Sequence, residues 1–191
     1  MADIFLIAGL GNPGKEYAAT RHNAGFMAAD IIAAHFDVGF TPWARAKADY
    51  AKAESGGKII YILKPMAYMN LSGSVVSAFA NFYKIPPKNI LVIFDDMSLP
   101  LGAARMRASG SAGGQNGMKH IIEQLGTQDI ARLRIGIGPR PDYFDGRDFV
   151  LSRFSAAEKP LLEAALERVQ KAAKDFVDAG LDIAMNNANR Q

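Results

Sequence analysis

The sequence predicts an α/β fold: one domain over residues 1–191, with a mixed, mostly parallel sheet and helices on both faces in a three-layer α/β/α arrangement. Three observations predict it. Apolar runs of strand length alternate with segments of helical periodicity, the pattern left by crossover connections between parallel strands. One pair of strand runs is joined by a tight glycine turn, which adds an antiparallel element. The chain has 191 residues, 49% of them hydrophobic, enough for one sizeable core.

The first strand, residues 4–10, is an unbroken apolar run ended by Gly9 and Gly11. Residues 24–36 then place Phe26, Met27, Ile31 and Ala34 at helical spacing with no β-branched run. Strands 49–54 and 58–63 flank Ser55-Gly56-Gly57, a hairpin turn. A helix over 71–83 leads to a buried strand over 90–94, then strands over 103–107 and 131–136 with a helix over 117–125 between them. The last helix, 156–179, opens on the capping box Ser155-Ala156-Ala157-Glu158 and stops at Gly180. Ligands of such sheets sit outside the carboxyl ends of the strands, so the loops after Leu10, Leu63 and Phe94 are the places to look.

Composition excludes several classes of chemistry. The chain has no cysteine, which removes disulfides, thiol catalysis and thiolate metal sites, and suits a reducing cytoplasm. Met1-Ala2-Asp3 begins no basic segment ahead of a long apolar one, so no signal peptide is expected. No apolar run approaches transmembrane length, so no membrane partner is expected either. Net charge is only +3, but residues 97–141 carry six cations (Arg105, Arg107, Lys119, Arg132, Arg134, Arg140) against Glu123 and Asp129, a local +4. That segment reads either as a solvated face or as a grip for a polyanion.

The opening loop, GLGNPGKE, fits two phosphate-binding patterns: Gly9, Gly11 and Gly14 spell G-x-G-x-x-G, and Gly9, Gly14 and Lys15 spell G-x-x-x-x-G-K. Both lack their context. A dinucleotide site needs a helix starting among the glycines and a second strand ending in an acid. A P-loop needs a hydroxyl after its lysine, where this chain has Glu16, and free backbone N–H groups, one of which Pro13 removes. Asp95-Asp96 after a strand still keeps a Mg²⁺-dependent nucleotide hydrolase open as an alternative. Otherwise the loop is a turn that fixes Asn12 at the sheet edge and delivers Thr20-Arg21-His22-Asn23.

Of three histidines, His35 reads as a helix-end residue and His120 as a solvated one. No pair has metal-ligand spacing. His22 sits in a loop beside a strand end, and Asp95 follows another strand at the same end of the sheet. A carboxylate there accepts the imidazole N–H, fixes the tautomer and leaves the other nitrogen free as a base. With neither a cysteine nor a G-x-S-x-G serine, the simplest nucleophile is water. Asn12, Asn23, Asn70 and Asn116 all lie in loops at element ends, and neutral amides hold a peptide group or a water without repelling an anion. Ser109–Gly117 opens a helix, with glycines and free helix N–H groups suited to an anion or a close backbone. Arg105 with Arg107, and Arg132 with Arg134, lie two apart on strands and form a candidate phosphate-gripping stripe.

Five segments, GLGNPGKEYAATRHNAG, KPMAYMNLSG, DDMSLPLG, SAGGQNG and RLRIGIG, resemble bacterial-type peptidyl-tRNA hydrolases, in order and in register from about residue 4 to 151. The resemblance implies a monomeric, cytoplasmic α/β enzyme of translation and ribosome rescue, with a mixed, twisted sheet. It implies hydrolysis of the ester joining a peptide to the 3′ ribose of tRNA, with no metal or organic cofactor. It assigns His22 as the base, Asp95 as its supporting carboxylate, and Asn12, Asn70 and Asn116 as holders of substrate and water. Tyr17 and Tyr68 fall on substrate-contacting positions, and Arg105, Arg107 and Arg134 on basic positions that grip tRNA phosphates. Three positions depart from the pattern: Tyr68 stands where Phe is common, and Phe94 and Gln115 where His is common. A basic residue in the loop after RLRIGIG has only Arg140 or Arg147 as counterparts. The alternatives to weigh are the nucleotide hydrolase using the Gly9–Lys15 loop and a non-catalytic RNA-binding module.

Overall fold

A computed structural model describes residues 3–190 of the chain, so the expectation about the leader at Met1-Ala2 lies outside the described residues. The strands are β1 (Ile4–Gly9), β2 (Thr41–Pro42), β3 (Ala48–Ser55), β4 (Lys58–Pro65), β5 (Ile90–Pro100), β6 (Ala104–Arg107) and β7 (Ala131–Gly138). The α-helices are α1 (Ala24–His35), α2 (Ser72–Phe82), α3 (Asn116–Leu125), α4 (Gly146–Leu151), α5 (Lys159–Ala179) and α6 (Leu181–Asn189).

All seven strands join one sheet in the order β2-β3-β4-β1-β5-β7-β6. The central four, β4, β1, β5 and β7, run parallel. Antiparallel strands close both sides: β3 pairs with β4 and β2 with β3 at one, β6 with β7 at the other. Helices cover both faces. Ile7, Ile62, Leu91 and Ile93 pack with α1 and α5 through Ala29, Ile32, Leu166 and Phe176. Leu6, Ala8, Val92 and Phe94 pack on the other face with α2 and α3 through Val76, Phe79, Met118 and Ile121. Strands buried on both faces lose their polar alternation, which is why β1 and β5 read as continuous apolar runs.

The close approach of α1 to β1 explains two of the loop glycines. A Cβ on Gly9 would lie 2.2 Å from the Gly25 carbonyl oxygen, and one on Gly11 would lie 2.7 Å from the Phe26 ring. These glycines therefore let the start of α1 sit against the end of β1.

The structure differs from expectation at several boundaries. Strand β5 continues through Asp95 and Asp96 to Pro100, with a register shift against β7 between Asp96 and Pro100. Backbone pairing to β7 carries the strand past the end of its apolar run. Helix α5 starts at Lys159 rather than Ala156. Glu158 still accepts the Ser155 N–H at 2.8 Å, but the serine side chain does not reciprocate, so half of the capping box forms. Gly180, at φ 88°, ends α5 and also turns the chain into α6. Neither β2 nor α4 was expected: two residues ending in proline, and one short helix of six, carry no readable period.

Candidate active site

The ends of β1 and β4 and the middle of β5 build the site. After β1, the Leu10 N–H donates to the Ile93 carbonyl at 2.9 Å and the Tyr17 N–H to the Gly14 carbonyl at 3.2 Å. The Asn12 N–H donates to Asn23 Oδ1 at 2.9 Å, and Asn23 Nδ2 returns a bond to the Asn12 carbonyl at 3.0 Å. Pro13 has no N–H to offer a phosphate, and the Leu10, Asn12 and Tyr17 amides are spent on the loop's own fold. Asn23 is correspondingly buried and braces the Asn12 backbone instead of facing the cleft, contrary to its expected place among the substrate-binding asparagines. Asn12 Oδ1 accepts the Met69 N–H at 2.8 Å. That bond orients the amide and leaves its Nδ2 hydrogens uncommitted at the cleft wall.

His22 lies on a 3₁₀ turn (Arg21–Asn23) that runs into α1. The turn is held by its neighbour. Arg21 Nη2 reaches both Glu158 carboxylate oxygens at 2.8 Å, Nη1 the Ile137 carbonyl at 3.1 Å, and Nε the Ser152 hydroxyl at 3.1 Å. Its guanidinium lies 4.7 Å from the ring centroids of both Phe149 and Phe154. This residue, given no role from the sequence, ties the histidine turn to α4 and to the start of α5.

The His22 Nδ1 is 2.9 Å from Asp95 Oδ2, with 15% of the histidine side chain and 3% of the aspartate exposed. Ionised Asp95 can only accept, so in neutral His22 the proton sits on Nδ1 and the Nε2 lone pair is free. Asp95 Oδ1 takes a second, longer bond of 3.3 Å from Gln115 Nε2. Gln115 is in turn fixed as the N-cap of α3, its Oε1 accepting the Met118 N–H at 2.8 Å. The amide at this position thus supports the aspartate, a role that the absence of a histidine there hid from sequence reading.

His22 opens on a cleft of about 810 Å³. The walls bring together Asn12, Tyr17, Tyr68, Asn70 and Asn116, five of the expected residues. Tyr68 is 58% exposed, so its ring stands free at the rim. The cleft is also lined by Met97 and Ser98 on β5 and by Val150 and Leu151 on α4, to which the sequence reading gave no role. Of the two arginines considered for the loop after β7, Arg147 lines this cleft, while Arg140 Nη1 bonds the Phe144 carbonyl.

The basic stripe is smaller than expected. On the β6–β7 pair Arg105 stands opposite Arg134, and Arg107 opposite Arg132. Arg132 is buried and donates to the carbonyls of Gly110, Ser111, Gln128 and Ile130. Burial, then the charge of Arg134, pulls its pKa down. It braces the glycine loop and is withdrawn from any surface grip. Arg107 is exposed, half-buried Arg134 pairs with Asp96 at 2.8 Å, and Arg105 donates to the Asn189 carbonyl at 2.9 Å. His120, expected to be solvated, accepts the Gly73 N–H at 3.1 Å through Nδ1 and so caps α2. Among the described residues, no three His, Asp or Glu side chains cluster to hold a metal. Asp95 and Asp96 are committed to His22, Gln115, Arg134 and Ser98. Among the same residues no helix is long and apolar enough to cross a membrane.

The profile of the family described as peptidyl-tRNA hydrolase matches residues 6–191. A peptidyl-tRNA hydrolase of Elusimicrobium minutum is 52% identical over 187 residues, covering 98% of this chain and 100% of that one. One from Chlorobium phaeobacteroides is 50% identical over 186 residues, covering 97% and 98%. The crystal structure of peptidyl-tRNA hydrolase from Acinetobacter baumannii superposes with a TM-score of 0.92 at 34% identity, covering 99% of this chain and 96% of that one.

Proposed function

The chain belongs to the peptidyl-tRNA hydrolase family, and from that premise we propose how its cleft hydrolyses peptidyl-tRNA. His22 is the general base. The observation that carries this reading is the 2.9 Å contact between Nδ1 of the cleft-lining His22 and a buried Asp95, which leaves Nε2 as the free nitrogen. Nε2 takes a proton from water as the water attacks the ester carbonyl, and the imidazolium returns that proton to the departing 3′ oxygen of the ribose. A positioned base of this kind contributes about 10²–10⁴ in rate.

Asn12 supports the same step. Its Nδ2, oriented by the Met69 N–H, is a donor for the carbonyl oxygen that becomes negative. Asn70 and Asn116 hold the peptide's amide groups, and Tyr17 and Tyr68 pack on the substrate at the rim. A free aminoacyl ester carries an ammonium in place of the first peptide bond and leaves these amide partners unmatched, which favours N-blocked esters. The tRNA acceptor arm lies along Arg105, Arg107 and Arg134, held through phosphates. The chain works as a single-domain monomer in the cytoplasm.

The test is hydrolysis of N-acetyl-aminoacyl-tRNA by purified, EDTA-treated protein. The account expects turnover by the wild type and a loss of about 10²-fold or more in His22→Ala. Near-normal turnover by His22→Ala removes the base assignment. A gel shift of tRNA without cleavage favours a binding module, and activity abolished by EDTA favours a metal-dependent hydrolase.

A further inference from the structure

We propose that Asn189, the last residue of α6, is a positioning residue for the tRNA-gripping face, acting through Arg105. Three hydrogen bonds join it to adjacent residues of β6. Its side-chain Oδ1 accepts the Met106 N–H at 2.9 Å, its Nδ2 donates to the Met106 carbonyl at 3.0 Å, and its main-chain carbonyl accepts from Arg105 Nη1 at 2.9 Å.

Each bond meets a physical need. Strand β6 is the sheet's outer strand on that side, so the outward N–H and carbonyl of Met106 lack a strand partner. The Asn189 amide presents one acceptor and one donor, as the backbone of a neighbouring strand would. Arg105 stands directly opposite Arg134 in the register, a like-charge pair that pushes the two guanidiniums apart. The Asn189 carbonyl is one of the unpaired carbonyls at the end of α6, where the helix carries partial negative charge. It draws one Arg105 nitrogen back and leaves the other guanidinium donors for phosphate. Pinning Met106 fixes where that carbonyl sits, so the side chain of Asn189 sets the position of Arg105.

The inference rests on the reading of Arg105 as a phosphate contact, and the experiment separates the two. Binding of deacylated tRNA to full-length protein is measured between about 50 and 200 mM salt. The proteins are wild type, Asn189→Ala, Asn189→Gln, Arg105→Ala and the double variant Asn189→Ala/Arg105→Ala. Thermal melts run alongside. Either change at Asn189 is expected to weaken binding about three- to tenfold and to flatten the salt dependence by up to the ~0.7–0.9 log unit of one phosphate contact. Turnover at saturating N-acetyl-aminoacyl-tRNA stays within about twofold of wild type. The double variant binds no more weakly than Arg105→Ala alone. If the wild type binds tRNA without salt dependence, both the phosphate reading and this inference fall. If the wild type binds with salt dependence, the inference alone falls in three cases: the Asn189 variants match the wild type, they lose only melting temperature, or they add their full effect on the Arg105→Ala background.

Discussion

Replacing Asp95 with asparagine tests the polarity of the hydrogen-bond chain more sharply than deleting the side chain. At present Asp95 accepts twice: from His22 Nδ1 at 2.9 Å and from Gln115 Nε2 at 3.3 Å. An amide of the same shape has one acceptor and one donor end. If its oxygen faces His22, its NH₂ meets the Gln115 NH₂, and Gln115 cannot turn over because its Oε1 holds the Met118 N–H at 2.8 Å. If the NH₂ faces His22 instead, the imidazole must put its proton on Nε2 and loses its base. The two outcomes differ by one buried donor clash against one wrong tautomer. A buried unmatched donor costs about 1–3 kcal/mol, so a large share of the enzyme falls into the inactive tautomer. At about 1.4 kcal/mol per factor of ten, the expected loss in kcat is about 5- to 150-fold, with KM little changed. A compensating change follows: with Gln115→Glu added, a carboxylate at 115 accepts both the Met118 N–H and the new amide's NH₂. The amide oxygen is then free for His22, and most of the lost rate should return. Single-turnover hydrolysis of N-acetyl-aminoacyl-tRNA by both variants decides it. Wild-type kcat in Asp95→Asn, or no recovery in the double variant, contradicts the His22–Asp95–Gln115 polarity.

Three further outcomes are expected. In Gly25→Ala the added methyl would lie 2.4 Å from the Ile93 carbonyl oxygen, so α1 must retreat from the sheet and take the adjoining His22 turn with it. Melting temperature and kcat should fall together, and a fully active, stable variant contradicts the packing argument. Arg132→Ala strands several loop carbonyls and should cost about 3 kcal/mol by denaturant titration, whereas Arg107→Ala should leave stability within about 0.5 kcal/mol. Glu158→Gln weakens the clamp on Arg21 and should cost about 1–2 kcal/mol at neutral pH. Burial raises the Glu158 pKa, but the Ser155 N–H and Arg21 more than offset it and hold it below the ordinary glutamate value. A depressed carboxyl pKa contributes its stability at neutral pH and loses it as pH falls through the folded-state pKa. The variant's stability deficit should therefore shrink below about pH 4, and a deficit that is constant with pH contradicts the assignment.

The centre of the fold was legible because β1, β4 and the first half of β5 are buried on both faces, and continuous apolar runs announce that directly. The boundaries were not. Strand β5 outlives its apolar run because its pairing to β7 is set by backbone, and Gly180 restarts a helix as readily as it ends one. In the site, His22 and Asp95 were legible as a base and an acid at one end of the sheet. What each remaining polar residue does depends on long-range partners. Asn23 and Asn12 look alike as loop asparagines, yet Asn23 spends its amide on the Asn12 backbone, while Asn12 spends only its Oδ1, on the Met69 N–H, and keeps Nδ2 for the cleft. Arg132 and Arg134 sit two apart on one strand face, but the glycine loop folds over the first and buries it. Arg21 lay inside the first of the five family-like segments but was given no role, because its importance lies in contacts 116 to 137 residues away.

The account stands most directly on where the proton of His22 resides. Side-chain ¹⁵N NMR of the neutral ring reads this without substrate. The account predicts a protonated Nδ1 and a bare Nε2, with the pattern lost in Asp95→Ala. A neutral His22 carrying its proton on Nε2 would leave no base in the cleft and would contradict it.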